Sequence, residues 1–365
     1  MMKVLFAGGG TGGHINPALS VANYMKGQEK DFEALFVGTE RGLEKKLVPA
    51  AGYDIKYIDI CGFDRKNLLK NFSVIKKLLK ANRDCKDILK NFKPDAVVCT
   101  GGYVSGPVTI AASKLGIPSI IHEQNVYPGL TVKGSEKYVD YVAVSFPETT
   151  EYMKKPEKCV VTGNPIRGEL FDISYEEARK RLGLSDKPFV LVFGGSLGAE
   201  KINKTMIDVI KKLCNDNSVQ LLFGTGDRNY EEVMECLKGV DLGDNIKVVP
   251  YINNMNEVMA AADLVVSRAG AITLSEIAAL GKASLLIPSP NVVRNHQEQN
   301  ARAFEKIGGA EVLTEDKLTS EVLYKKIISI ANDKAVLENM SRNVKKIAKV
   351  NALEEIYDLV KKIIK

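Results

Sequence analysis

The chain has 365 residues, 45% hydrophobic and 26% charged, with a formal charge of +6. That length suits about two domains, and the balance belongs to a globular protein rather than a disordered or collagen-like one. Six cysteines without a C-x-x-C pair argue for reduced thiols in a cytosolic protein rather than a disulfide framework or a zinc site; no apolar run approaches the ~20 residues of a membrane span, and the residues before Gly8 are too few for a signal peptide.

In chain order, short apolar β-branched runs predict strands over 4–7, 34–37, 54–58, 96–99, 119–121, 141–144 and 159–161. Helical periodicity falls between them, at 18–26 and 105–115 for example. Strands alternating with helices predict a parallel sheet with right-handed crossovers. Gly163, Pro165 and Gly168 break the pattern, placing a linker at 162–168 between a first domain, 1–161, and a second, 169–340. The second half starts a new cycle, with strands predicted over 190–193, 220–223, 246–249, 264–267 and 284–287. The tail, 333–365, reads as amphipathic helix. The expected fold class is α/β, two Rossmann-like domains with parallel sheets.

Each half opens on a strand, a Gly-rich turn and a helix. The first turn is Gly8-Gly9-Gly10-Thr11-Gly12-Gly13-His14, and the second is Gly194-Gly195-Ser196-Leu197-Gly198-Ala199. Loop amides and a helix N-terminus at such a turn attract anions. The first matches G-x-G-x-x-G, a weak signal alone. A dinucleotide site also wants an acid at the end of the next strand, where this chain has Gly38, with Glu40 only beyond it. The plain alternative is a tight turn with no ligand, but the glycines outnumber what a turn needs.

The chain's three histidines, His14, His122 and His296, all fall at the ends of predicted strands or just after them. Ligands of open α/β sheets bind there, so all three are expected to face one cleft. A His₃ metal site is poorly supported, for want of short ligand spacing. Gly101, Gly102, Tyr103 and Ser105 follow the strand at 96–99, where glycines let another molecule approach and Ser105 is placed to cap the next helix. His122-Glu123-Gln124-Asn125 follows another strand, and four polar side chains there are costly unless they serve a site; for Glu123 a loop cap is an equal alternative. In the second half, Arg268 to Glu276 makes another anion-ready turn. Glu276, one turn into that helix, is placed to accept hydrogen bonds from a ribose diol, or to act as a helix-dipole partner. The polar run 295–300 is a candidate phosphate or sugar contact.

Residues 65–93 hold ten Lys/Arg against Asp84 and Asp87, a net +8. Leu69, Phe72, Ile75, Leu79, Ile88, Leu89 and Phe92 recur at helical spacing. The later part reads as a core-facing helix with a solvated basic face. The earlier part, Lys66, Leu68, Leu69, Lys70, Phe72 and Ile75, is a candidate dock on an anionic membrane surface. Nucleic acid is not an expected partner, because aromatic platforms are missing there.

These motifs, in order and over nearly the whole length, resemble the undecaprenyldiphospho-muramoylpentapeptide β-N-acetylglucosaminyltransferases, a GT-B family. The matching segments are Gly9-Gly10-Thr11-Gly12-Gly13-His14, Gly101-Gly102-Tyr103-Val104-Ser105-Gly106-Pro107, His122-Glu123-Gln124-Asn125, Gly163-Asn164-Pro165-Ile166-Arg167, Gly194-Gly195-Ser196, Ser267-Arg268-Ala269-Gly270-Ala271 with Glu276, and His296-Gln297. The resemblance implies sheets facing an interdomain cleft, a lipid-linked acceptor on the first domain and UDP-N-acetylglucosamine on the second. It implies donor contacts at Arg167, Ser196, the Ile252 main chain, Ala271, Ile272, Thr273, Leu274, Ser275, Glu276 and Gln297, with Thr11, Gly12, Gly13 and Asn125 reaching the sugar. Gly102, Tyr103 and Ser105 are acceptor or phosphate candidates. The helix at 341–365 is expected to pack back on the first domain. Family members commonly carry Gln where this chain has Leu197 and Asn where it has Val132, which puts a polar contact at each in question.

The implied reaction is inverting transfer onto the muramoyl C4 hydroxyl of undecaprenyl-diphospho-muramoyl-pentapeptide, at the cytoplasmic face of the bacterial membrane, in peptidoglycan synthesis. No cofactor or obligatory metal is expected, since helix N-termini and Arg167 are placed to stabilise the leaving diphosphate. His14 is the first candidate base and Glu123 the competing one. A diacylglycerol glucosyltransferase, a dinucleotide-dependent oxidoreductase and a non-enzymatic nucleotide-sugar sensor are the rival readings.

Overall fold

The computed structural model describes residues 1–62, 71–166, 168–195 and 198–364, with the backbone alone at 71–75 and at 293. They form two compact units, Met1–Ile166 with Lys349–Lys365, and Arg167–Ala348.

The first unit runs β1 (Met2–Gly8), α1 (Gly12–Gln28), β2 (Phe32–Gly38), α2 (Glu44–Ala50), β3 (Asp54–Tyr57), α3 (Asn71–Phe92), β4 (Ala96–Gly101), α4 (Ser105–Leu115), β5 (Ser119–Glu123), α5 (Leu130–Ser135), β6 (Tyr141–Val144) and β7 (Cys159–Val161). Among the described residues the strands make one parallel sheet, ordered β3-β2-β1-β4-β5-β6-β7. Strands flanked by helices on both faces are buried on both faces, hence the continuous apolar runs. One face packs Leu5, Ala7, Val97 and Cys99 against Ala81, Cys85 and Leu89 of α3 and Val108 and Ala112 of α4. The expected apolar stripe on α3 is corrected in part: Leu89 is buried, but Leu79 is 67% exposed, and the small Ala81 and Cys85 occupy the core instead.

The second unit runs α6 (Tyr175–Arg181), β8 (Phe189–Phe193), α7 (Glu200–Asp216), β9 (Gln220–Gly224), α8 (Tyr230–Cys236), β10 (Ile246–Val249), α9 (Met255–Ala261), β11 (Leu264–Ser267), α10 (Ala271–Leu280), β12 (Ala283–Leu286), α11 (His296–Lys306), β13 (Ala310–Val312), α12 (Ser320–Ala331) and α13 (Lys334–Lys345). Its parallel sheet is ordered β10-β9-β8-β11-β12-β13. The edge strand β13 escaped sequence reading, because three residues give no periodicity.

The tail is two helices rather than one. α13 belongs to the second unit, and α14 (Ala352–Ile363) belongs to the first. Ile356, Leu359 and Val360 of α14 join Val4, Phe6, Ile15, Ala18 and Phe36 in the other core layer of the first sheet.

In both sheets the strand order reverses beside the first strand of the unit, between β1 and β4 and between β8 and β11. Loops leaving such a pair diverge to opposite faces and open a crevice at the carboxyl ends. Both Gly turns lie there.

Candidate active site

The turn after β1 is built around a side chain that sequence reading missed. Glu44, at the start of α2, is fully buried. Its Oε2 accepts from Gly10 N at 2.8 Å, and its Oε1 accepts from Thr39 N at 2.9 Å and Thr39 Oγ1 at 2.8 Å. A Cβ at Gly9, Gly38 or Gly42 would lie 2.5, 2.5 or 2.0 Å from Glu44 atoms. These glycines therefore make room for a carboxylate that already fills part of the anion cradle. The position where a dinucleotide-binding acid is wanted is glycine for the same reason. The visible signal was Gly38, Gly42 and Glu44 in one short stretch.

The turn after β4 leans on the first one. Gly102 has φ +77°, and a Cβ there would sit 2.4 Å from the Gly9 carbonyl oxygen. Only glycine suits this close approach, so Gly102 serves the fold. Ser105 is corrected both as a ligand contact and as a helix cap. It is fully buried, its hydroxyl accepts from Gly101 N at 3.0 Å, and the oxygens of Gly101 and Ala7 lie 2.8 and 3.1 Å away as its acceptors. Tyr103 is 60% exposed, which leaves it as the side chain of this loop able to meet a ligand.

His14 sits half-buried in the first turn of α1. Its Nδ1 lies 3.1 Å from the Thr100 carbonyl oxygen and 3.2 Å from Gln124 Oε1. A carbonyl only accepts, so Nδ1 carries the proton and Nε2 the lone pair in the neutral ring. Thr100 Oγ1 donates to the His14 carbonyl at 2.7 Å, fixing the helix start to β4. Thr11 and Gly13 are exposed beside it and Gly12 is half-buried.

The run His122 to Asn125, which ends β5 and enters the next loop, corrects the expectation that its polar side chains face a ligand. His122, Glu123 and Gln124 are all buried. Gln124 Nε2 donates to Thr100 O at 2.9 Å and to His122 Nδ1 at 3.0 Å, while His122 Nε2 donates to the Gly163 carbonyl at 2.9 Å. Burial pushes His122 down to about 4 against the opposing pull of the Gly163 bond, so it is neutral at physiological pH. Glu123 spends its carboxylate on the next loop, accepting from Asn125 N at 2.9 Å, Asn125 Nδ2 at 3.1 Å and Gly129 N at 2.8 Å. Burial raises its pKa, and these bonds hold it back. The loop-cap reading of Glu123 is the one this geometry favours. Val132 is 3% exposed and packs in the sheet core, so the departure there is absorbed by packing.

In the second unit, α10 starts at the switch point with Gly270 as N-cap and no side-chain cap bond. The first-turn amides of a helix carry partial positive charge toward whatever lies before them. Leu274 is corrected as a donor contact: its side chain is fully buried in the core. Ile272, Thr273, Ser275 and Glu276 are half-buried, and Ala271 is nearly covered. Gly198, at φ +74°, brings the second Gly turn within 2.1 Å of the Thr225 carbonyl, measured from the Cβ it lacks. The Ile252 side chain packs on Gly224, so a ligand contact there falls to its main chain. Gln297 Oε1 accepts from Ser289 N at 2.8 Å, which ties its loop to α11. His296 opens α11, in the second unit, whereas His14 and His122 belong to the first. A cavity of about 310 Å³ in this unit is lined by Leu222, Lys247, Val249, Tyr251 and Asn254. Of the predicted donor residues it touches Ile252 alone, so it is not the predicted donor site beside the second Gly turn.

Arg167, Ser196 and Leu197 lie outside the described residues, as do Lys66, Leu68, Leu69 and Lys70. Phe72 and Ile75 fall in the first turns of α3, and their side chains lie outside the description. Among the described residues no helix is long and apolar enough to cross a membrane.

Both halves match models of one family: the glycosyltransferase family 28 N-terminal domain over residues 4–144 and its C-terminal domain over residues 189–361. The chain is 50% identical to the UDP-N-acetylglucosamine–N-acetylmuramyl-(pentapeptide) pyrophosphoryl-undecaprenol N-acetylglucosamine transferase of Thermoanaerobacter sp. (strain X514), covering 99% of this chain and 100% of that protein. It is 48% identical to the transferase of the same description from Acetivibrio thermocellus, over 100% of this chain and 99% of that one. The crystal structure of Acinetobacter baumannii MurG superposes with a TM-score of 0.81 at 30% identity, covering 99% of this chain and 100% of that chain.

Proposed function

We infer the activity from one premise: the chain belongs to glycosyltransferase family 28, among the N-acetylglucosamine transferases just described. It is a hexosyltransferase of peptidoglycan synthesis that moves N-acetylglucosamine from UDP-N-acetylglucosamine to N-acetylmuramyl-(pentapeptide) pyrophosphoryl-undecaprenol. The observation that carries this is 50% identity over the full length of a relative of that description.

The finer chemistry is our proposal. The muramoyl C4 hydroxyl attacks C1 of the α-linked donor from the face opposite the diphosphate. The new C–O bond forms as the C1–O bond to UDP breaks, inverting C1. The hydroxyl proton passes to Nε2 of His14, and UDP leaves with the bonding pair. The first-turn amides of α10 and the turn around Gly195 face the charge that develops on the diphosphate, with Arg167 and Ser196 implied by the family resemblance. Glu276 takes the ribose hydroxyls, and the Ile252 main chain and Gln297 complete the donor set. In the first unit Thr11, Gly12, Gly13 and Asn125 serve the sugar and Tyr103 the acceptor. His14 is preferred to Glu123 as base because the Glu123 carboxylate is already bonded to the Asn125 and Gly129 amides.

The acceptor's lipid keeps it in a bilayer, so we place the enzyme peripherally on the cytoplasmic face, docked through the basic and apolar segment 66–75. Transfer of labelled N-acetylglucosamine to a lipid-linked acceptor analogue tests the activity, and no transfer by pure protein would overturn it. His14→Ala is expected to lower kcat by roughly 10²–10⁴-fold, the usual worth of a general base; near-normal turnover would remove His14 from that role. Lys66→Glu with Lys70→Glu is expected to weaken co-sedimentation with anionic liposomes, and unchanged binding would refute the dock.

A further inference from the structure

One motif remains unexplained by the reaction as written: a buried His–Gln pair that touches no substrate yet is wired to the candidate base. The wiring runs through atoms with fixed hydrogen-bonding sense. The Gly163 carbonyl can only accept, so His122 must place its proton on Nε2, 2.9 Å away. Because the His122 ring is neutral and 1% exposed, its Nδ1 is then an acceptor. Gln124 answers with its amide nitrogen, 3.0 Å from that Nδ1 and 2.9 Å from the Thr100 carbonyl. Both partners demand a donor, so the amide has one orientation and its Oε1 must point away from them. That oxygen lies 3.2 Å from His14 Nδ1. The Asn164 side-chain amide holds the Gln124 main-chain carbonyl at 3.1 Å, so the Gln124 backbone is pinned as well.

We propose that Gln124 and His122 are positioning residues which, with the Thr100 carbonyl, hold His14 in the Nδ1–H tautomer, so that the neutral ring keeps its lone pair on Nε2. The catalytic consequence rests on His14 being the base; the tautomer itself does not. Imidazole in water prefers the Nε2–H form, which would present a proton, not a lone pair, to the acceptor hydroxyl. The chain of bonds reverses that preference before substrate arrives. It also explains why two polar side chains are kept in the sheet core, where an unbonded polar group is costly. His122 is then the fixed end of a relay anchored on Gly163, not a ligand contact.

The chain has only three histidines, so each ring is resolvable by long-range proton–nitrogen NMR of protein labelled with ¹⁵N-histidine. In the wild-type protein His14 is expected to show the Nδ1–H signature and His122 the Nε2–H signature, with His296 as an internal reference. Gln124→Leu is expected to move both His14 nitrogen shifts toward the mixed-tautomer average and to lower kcat roughly 10- to 100-fold through loss of alignment, with the donor KM changed less than about twofold. Gln124→Glu faces His122 Nδ1 with an acceptor and is expected to transfer the His122 proton to Nδ1, a shift that damage to packing alone would not produce. An Nε2–H signature for His14 in the wild-type protein overturns the proposal without any variant, as do unchanged His14 shifts and unchanged kcat in Gln124→Leu. If His14→Ala retains turnover while the tautomers behave as described, the base assignment fails and the relay stands.

Discussion

Replacing Glu44 tests whether the first Gly turn is held by an internal anion. Its carboxylate satisfies the amides of Gly10 and Thr39 in a fully buried pocket. Glu44→Ala leaves those two donors without their acceptor, at about 1–3 kcal/mol each, and leaves a void where the carboxylate stood. Taking about 4 kcal/mol in all, and about 2–4 °C per kcal/mol for a unit of this size, the melting midpoint falls by roughly 8–16 °C. Glu44→Gln keeps one oxygen but turns an NH₂ toward an amide that also donates, so about half that loss is expected. The turn carries Thr11 to His14, so kcat falls as well. Thermal melts and urea titrations followed by circular dichroism, with turnover measured well below the midpoint, give both numbers. A Glu44→Ala midpoint within about 2 °C of wild type, beyond the usual scatter of surface substitutions, would refute the carboxylate's role and return the Gly10 amide to the ligand.

Three further outcomes follow from named contacts. His122 has a pKa lowered to about 4 by burial, against 6.5 unperturbed. Stability is therefore full above about pH 6.5 and falls as pH drops from there toward 4, because the unfolded ring takes up a proton that the folded one refuses; the total is about 3 kcal/mol. His122→Gln should remove that part of the slope between pH 7 and 4.5, and an identical slope would show that carboxylates account for all of it. Ile356 of α14 is fully buried in the first unit's core, so Ile356→Ala should cost about 2–5 kcal/mol in chemical denaturation; a loss under about 1 kcal/mol would mean the tail is only laid on the surface. Gly102→Ala forces a side chain into φ +77° and against the Gly9 carbonyl; about 2–4 kcal/mol should be lost, and a neutral melt would contradict this turn geometry.

Where the sequence was readable, one local signal decided the outcome. β1, β4 and β8 are apolar runs ended by glycine, and both Gly turns sit at the switch points because a strand–turn–helix unit admits little else. Family motifs then supplied the chemistry that periodicity cannot. The failures share a cause: a polar residue near a strand end looks the same whether it meets a ligand or a neighbour ninety residues away. Ser105 bonds to Ala7, and His14 to Thr100 and Gln124, across sequence separations of 98, 86 and 110 residues.

Glu44 shows what a better reading would have used. Three glycines, at 9, 38 and 42, surround one acid, and each is glycine because a Cβ would strike it. Taken singly, every one has a turn to explain it; only the shared neighbour explains them all. The same holds for His122 and Gln124, which read as site residues because they are polar and stand beside a site. Their burial reverses that reading, since a side chain sealed from solvent acts on substrate only through another side chain. Gln124 reaches the side chain of the candidate base His14, while His122 meets Gln124 and lies 3.3 Å from Ser145 Oγ. The motif that looked like four ligand contacts thus divides in three: Asn125 stays half-buried in the turn, Glu123 closes its own loop, and His122 and Gln124 act by deciding which nitrogen of His14 bears the proton.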